Sequence, residues 1–301
     1  MIELNPETTT TIDKEFHQLK WRPTSADLPG VPLMPATNNI AAISMFKDEG
    51  DVAYINLLWH YYLGIRNFVI LDNLSSDDTP YEIQRFAKDY PDAKVHLIQD
   101  NEVGYYQSQK LTALAEIAYA IWGVEWIYPF DADEFMYLYR APLKIVLNSI
   151  NQHRCLGLPM RTQITTSFDN ESEPNVLKRI VYRRKEDQLN AKIIVRWQRG
   201  MVIDQGNHGV RNSDGSILAH IPAEDFGMFL RHYQLRSKKH IRSKIVNGGK
   251  AYESAPNLPE AAGLHWRIWY REYQQKGEEL VSTLYAAESQ NPGALYDPLI
   301  S

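Results

Sequence analysis

The sequence predicts an α/β fold, an open and mostly parallel sheet with helices on both faces. Three observations predict it. Short apolar runs alternate with stretches of helical period from Asn39 to Phe130. Gly64, Pro80 and similar punctuation fall between them. The apolar runs also end in acidic residues: Asp48 and Glu49, Asp72, Asp100, then Asp131 and Asp133. Parallel strands bring their carboxyl ends to a common edge, where α/β proteins bind ligands.

Each element follows in order. Residues 1–38, rich in Thr and Pro, read as an irregular extension folded back on the rest. Ile40–Phe46 is a short apolar strand that empties into the loop Lys47–Gly50. Val52–Leu63 carries apolar residues at helical spacing, and Gly64 stops it. Phe68–Leu71 is the second strand, and Thr79-Pro80 opens a helix that runs to Tyr90. Val95–Ile98 is the third strand, Gln107–Trp122 a long amphipathic helix and Trp126–Phe130 the fourth strand.

Beyond Tyr139 the pattern loosens. Leu143–Ile150 reads as helix, Leu156–Met160 as strand, residues 163–175 as a polar loop and Lys192–Arg196 as a further strand. Helices are expected within Phe229–Val246 and Pro259–Ala287. With no internal repeat and no clean linker, residues 39–301 read as one continuous domain.

Composition narrows the function classes. The 301 residues hold 44% hydrophobic and 23% charged residues, which excludes a disordered chain or a coiled coil. Lys and Arg number 32 against 37 Asp and Glu, a net charge of −5, so nucleic acid is not an expected partner. A single cysteine, Cys155, excludes an internal disulfide and a Cys-rich zinc site. No run of about 18 apolar residues suggests a membrane span. The N-terminus lacks the basic start and apolar core of a secretory signal. The expected location is the cytoplasm, with a peripheral contact to the membrane face as the alternative.

The most informative segment is Trp126-Ile-Tyr-Pro-Phe-Asp-Ala-Asp-Glu-Phe135. A strand that runs straight into Asp-x-Asp offers two carboxylates that share a hard dication with the oxygens of a diphosphate. Such an ion stabilises charge on a departing nucleoside diphosphate. Ser44-Met-Phe-Lys-Asp-Glu49, Val69-Ile-Leu-Asp-Asn73 with Ser75 to Thr79, and Asp131-Ala-Asp-Glu-Phe135 stand in order across residues 40–139. On these motifs the chain resembles the GT-A glycosyltransferases, in the family-2-like branch related to glycosyltransferase family 92. Gly206-Asn-His208 and His232-Tyr-Gln-Leu-Arg-Ser237, followed by Lys244, resemble that branch's C-terminal pattern.

The resemblance implies a nucleotide-sugar fold, with a nucleotide-binding half at 39–139 and an acceptor-binding half at 140–301. It implies Mn²⁺ or Mg²⁺, a UDP- or GDP-sugar donor, a glycan or glycolipid acceptor, and inversion at the transferred sugar. Asp72 is then expected at the nucleobase, Asp131 at the ribose or the metal, and Asp133 on the metal. Glu49 is expected to shape the nucleotide pocket. His208 and His232 are candidates for a further metal ligand. Lys192, Arg236 and Lys244 are the expected partners of the diphosphate.

The general base is not singled out: Asp169, Asp225 and Glu134 are the candidates, with Glu171 beside the first. Asp77 and Asp78 read as helix caps. His60, His96, His153 and His265 read as structural. Trp266, Trp269, Tyr270 and Tyr273 fall on one helical stripe, a pattern of core packing or, alternatively, of a membrane interface. Two other functions compete. A sugar-phosphate nucleotidyltransferase uses a related sheet but a Gly-rich basic loop, whereas Lys47–Asp51 is acidic with one glycine. A non-catalytic carbohydrate-binding protein on the same fold is disfavoured by the intact Asp-x-Asp.

Overall fold

The computed structural model describes residues 21–150, 154–170, 172–188, 190–259, 263–289 and 293–300. Residues 1–20, His153, Glu171 and the start of the expected helical region after Pro259 lie outside them.

The first half follows the sequence expectation closely. The strands are β1 (Thr37–Phe46), β2 (Ile65–Asp72), β3 (Lys94–Gln99) and β4 (Trp126–Pro129). Between them run α1 (Ala53–Tyr62), α2 (Thr79–Asp89) and α3 (Gln107–Trp122). The four strands lie in the order β4-β1-β2-β3, and every neighbouring pair is parallel. Their pleat sorts the core onto two faces. Ile40, Ala42, Phe68, Ile70 and Tyr128 pack toward α1, whose Leu58 and Trp59 belong to the same cluster. Ala41, Ile43, Val69 and Ile127 pack toward α3, against Leu111, Leu114, Ala115 and Ala118. Burying each such Leu or Ile contributes about 1.5–3 kcal/mol. Gly123, in the left-handed region, ends α3 as an αL cap.

The second half departs from expectation in ways that build the site. β5 (Glu134–Leu138), α4 (Leu143–Ser149), β6 (Cys155–Leu158) and β7 (Met160–Ile164) come first. The single strand expected over Leu156–Met160 is thus two, split at Pro159, and the supposed loop from Gln163 begins as strand. Pro159 has no N–H to give a ladder, and there the chain leaves one sheet for another. A short turn α5 (Val176–Arg179) and β8 (Tyr182–Arg183) lead to β9 (Lys192–Arg196). β9 joins the first sheet antiparallel to β4 and to β6, and β12 (Ile221–Pro222) completes it after the small hairpin β10 (Val202–Ile203) and β11 (Val210–Arg211).

β13 (Met228–His232) is strand where the sequence suggested helix. It lies between β7, parallel, and β5, antiparallel, in a second sheet closed at its edge by β8 and β14 (Leu295–Tyr296). The helices α6 (Lys238–Glu253), α7 (Leu264–Lys276) and α8 (Glu278–Ser289) follow. Trp269, Tyr270 and Tyr273 of α7, each half-buried, pack on Ile241, Ile245, Leu280 and Val281, so most of the aromatic stripe faces another part of the protein. No helix among the described residues is long and apolar enough to cross a membrane.

The segment from Arg22 is not loose. Its guanidinium pairs with buried Glu82 and with Asp78, Leu28 joins the core, and Met34 N–H donates to the Tyr62 carbonyl at 2.7 Å. Of the two expected caps, Asp77 serves, its Oδ1 accepting Thr79 N–H at 2.9 Å. Asp78 makes no side-chain cap bond and faces Arg22 instead.

Candidate functional site

The carboxyl ends of β1 and β4 open into a cavity of about 830 Å³, within the usual range for small-molecule sites. Its wall includes Asp48, Glu49, Asp131, Asp133, Lys192, His208, His232 and Lys244. Asp72 and Arg236 are not among the lining residues, and neither are Glu134, Asp169 and Asp225.

Asp131 and Asp133 leave β4 in the tight turn before β5, which aims both side chains at the same edge. Asp131 is one-third exposed: its Oδ2 accepts Lys192 Nζ at 2.7 Å, and its Oδ1 accepts the amides of Gln107 and Asn207, both at 3.2 Å. Asn207 reaches it from a turn in which it adopts φ +62°, a conformation asparagine tolerates better than most residues. Asp133 is almost fully buried. Its Oδ2 holds Lys244 Nζ and stands 3.8 Å from Arg236 Nη1, while Oδ1 is 3.5 Å from His232 Nε2. Burial alone would push the Asp133 carboxyl up, but Lys244 and His232 hold it well below the usual range.

The register of β13 explains His232. Pairing His232 opposite Glu134 sets the imidazole at the end of the strand beside Asp133, and Tyr233 N–H closes on the Asp133 carbonyl at 2.9 Å. The Gln188 amide engages Nδ1 at 3.0 Å and turns Nε2 toward Asp133. His208 is oriented differently. Its Nδ1 meets the Ala191 carbonyl at 2.9 Å and so carries the hydrogen, leaving a lone pair on Nε2. Burial and the nearby Lys192 lower its pKa, so the ring is neutral near pH 7.

Arg236 pairs two further carboxylates, buried Glu49 and the more exposed Asp51. Arg236, fully buried, grips Glu49 at 2.5 Å and Asp51 at 2.8 Å. Burial raises Glu49, yet Arg236, Lys244 and His240 bring its pKa down on balance. Glu134 lies behind Asp131, accepting the Asp131 N–H at 3.0 Å and facing Lys192 at 3.1 Å. Lys192 therefore bridges two carboxylates. Asp72 is buried beside the rim with Oδ1 unpartnered among the described residues, and burial raises its pKa against hydrogen bonds from Ser75.

Among the described residues no group of three or more His, Cys, Asp or Glu side chains is placed to hold a metal ion. Asp133 Oδ1 and His232 Nε2, 3.5 Å apart, are a carboxylate–imidazole pair on the cavity wall. A pair suits a hard dication that draws its other oxygens from water and substrate phosphates.

The structure thus gathers Glu49, Asp131, Asp133, Lys192, His208, His232 and Lys244 around one space. Asp169 is tied to Thr166 Oγ1 at 2.8 Å, and Asp225 sits in a turn whose carbonyl accepts Arg140; both lie off the cavity wall. His265, read as structural, is on the wall with Trp266. Sequence reading missed Gln107, Gln188 and Asn207, polar residues that orient the charged ones.

No protein-family model and no curated protein matches the chain. Among solved structures it is similar to S. aureus TarS in complex with UDP, at 13% identity, covering 78% of this chain and 71% of that one, TM-score 0.36. It is similar to the mannosyltransferase PcManGT from Pyrobaculum calidifontis in complex with GDP-Man and Mn²⁺, at 14% identity over 83% and 73%, TM-score 0.36. A third is GalNAc-T7 with UDP, GalNAc and Mn²⁺, at 10% identity over 84% and 58%, TM-score 0.37. At these identities and scores no residue's role passes from them to this chain.

Proposed function

We propose that the chain is a GT-A-type glycosyltransferase that moves a sugar from a UDP- or GDP-sugar to a hydroxyl of a glycan or glycolipid, with inversion. The observation that carries this reading is the floor of the cavity, where two carboxylates and two ammonium groups alternate as Asp131–Lys192 and Asp133–Lys244. Such a floor suits a ligand that brings its own negative charge together with a cation. A diphosphate with Mn²⁺ or Mg²⁺ is that ligand.

In this reading Asp133 and His232 would hold the dication, with Asp131 beside them, and when bound it would supply positive charge to offset that on the departing diphosphate. Lys244 and Lys192 lie within the same wall to meet phosphate oxygens, while Arg236 acts from behind by fixing Glu49. His208 takes the acceptor proton. Its Nε2 lone pair is available at neutral pH, whereas Asp169 and Asp225 stand away from the cavity. This departs from the sequence expectation, in which His208 was a metal ligand.

The test is a melting-temperature screen with UDP and GDP, each with and without Mn²⁺, followed by release of the nucleotide from its sugar conjugates. One nucleotide with Mn²⁺ is expected to raise the melting temperature, by linkage of binding to folding. His208→Gln is expected to keep that rise while turnover falls about 10²-fold or more, the span of general-base catalysis. No shift with either nucleotide would defeat the reading, and undiminished turnover in the variant would remove His208 as the base.

A further inference from the structure

The ammonium of Lys244 occupies one oxygen, Oδ2, of the Asp133 carboxylate, whose other oxygen faces His232. It holds Oδ2 directly, and among the described residues the next carboxylate oxygen paired with it is Glu49 Oε1, at 3.8 Å. The other buried cations of the site are tied twice at short range. Lys192 meets Asp131 at 2.7 Å and Glu134 at 3.1 Å, and Arg236 meets Glu49 at 2.5 Å and Asp51 at 2.8 Å. Lys244 is also the most exposed of the three, at 20% against 4% and 0%. It projects from α6 on a flexible four-carbon stem into the same cavity.

A dication and this ammonium repel strongly if both sit on one buried carboxylate. A diphosphate in the cavity offers the ammonium an alternative anion without leaving the wall. We propose that Lys244 is a resident counter-ion that keeps a divalent cation off Asp133 until a nucleoside diphosphate draws the ammonium away, so that metal and nucleotide bind as a coupled pair. The inference rests on the nucleotide-sugar reading and adds to it an obligatory coupling, for which Lys244 acts through charge and position rather than in bond breaking.

Mn²⁺ binding is measured from the signal of free Mn²⁺ in electron paramagnetic resonance, without nucleotide and with saturating UDP or GDP. For the wild-type chain, the effective nucleotide is expected to tighten Mn²⁺ at least tenfold. Lys244→Met is expected to bind Mn²⁺ at least tenfold more tightly than wild type when no nucleotide is present, and to show a smaller nucleotide effect. Lys244→Arg, which keeps the charge, is expected to retain the weak nucleotide-free binding, and Asp133→Asn added to Lys244→Met to abolish the gain.

Equal nucleotide-free Mn²⁺ affinity in wild type and in Lys244→Met, both melting cooperatively, overturns the inference. If UDP or GDP still tightens Mn²⁺ in that case, the nucleotide-sugar reading survives it. If neither nucleotide alters Mn²⁺ binding in any of the proteins, the coupling and the reading fall together.

Discussion

Burial lifts the Glu134 carboxyl to about 7, with Lys192 pulling it down and Asp131 pushing it up. In the unfolded chain the same group titrates near 4.5. A carboxyl raised by folding favours the fold when protonated, so its contribution is full below the unfolded value. It is lost as pH rises through about 7. Glu134→Gln keeps an oxygen for the Asp131 N–H and removes the charge. The variant is therefore expected to melt higher than wild type at pH 8 and close to it at pH 4.5; a gap that does not change with pH would contradict this. Asp131 and Asp133 were legible because their spacing is local and follows an apolar strand. Gln107 and Asn207, which orient Asp131, were not. They reach it from 24 residues before and 76 residues after, and only the folded chain brings them together. His208 and His232 were visible as histidines, but their different orientations come from Ala191 and Gln188, whose approach no spacing reveals.

At the scale of elements, local periodicity located β1 to β4 and α1 to α3 within three residues at each end, because most of them bury a regular face. It failed at β13, where Met228-Phe-Leu-Arg-His232 has an apolar start that suits helix or strand equally. Pairing with β5 and β7 decides the matter. Helix packing supplies the prediction here. Gly248 and Gly249 sit mid-way along α6, where glycine costs about 1 kcal/mol relative to alanine. A Cβ on Gly249 would fall 2.1 Å from Tyr270 Cγ, an overlap, and one on Gly248 would stand 3.2 Å from Trp266 Cγ. The two glycines therefore let α7 lie close against α6. Gly249→Ala is expected to lower the melting temperature despite its better helix propensity, and to loosen the wall formed by His265 and Trp266. A rise in melting temperature, the outcome of propensity alone, would show that the close approach does not matter.

Across the whole molecule, an excess of acidic residues coexists with a cavity where Glu49, Asp131 and Asp133 are each matched by a cation. Asp133 and Glu49 are held below their ordinary values in spite of burial, chiefly by Lys244 and Arg236 respectively. Groups depressed by folding stabilise the fold above their unfolded pKa, and that contribution vanishes as pH falls through the folded value. The melting temperatures of wild type and Lys244→Met are therefore expected to converge as pH falls below the ordinary aspartate value of 3.8. Parallel curves would mean that the ammonium contributes nothing to the carboxylate's ionisation. The alternating half was readable along the chain, whereas the second sheet depends on the switch at Pro159 and on strands returning from far away. Strand β9 carries one more consequence. It runs opposite to β4, so its beginning, not its end, meets the rim. The connection that precedes it, carrying Gln188 and Asn190, thereby lines the cavity together with the connections that follow the parallel strands. Exchanging the stretch between Arg183 and Lys192 would therefore reshape the cavity and release His232 from Gln188 and His208 from Ala191 in one step.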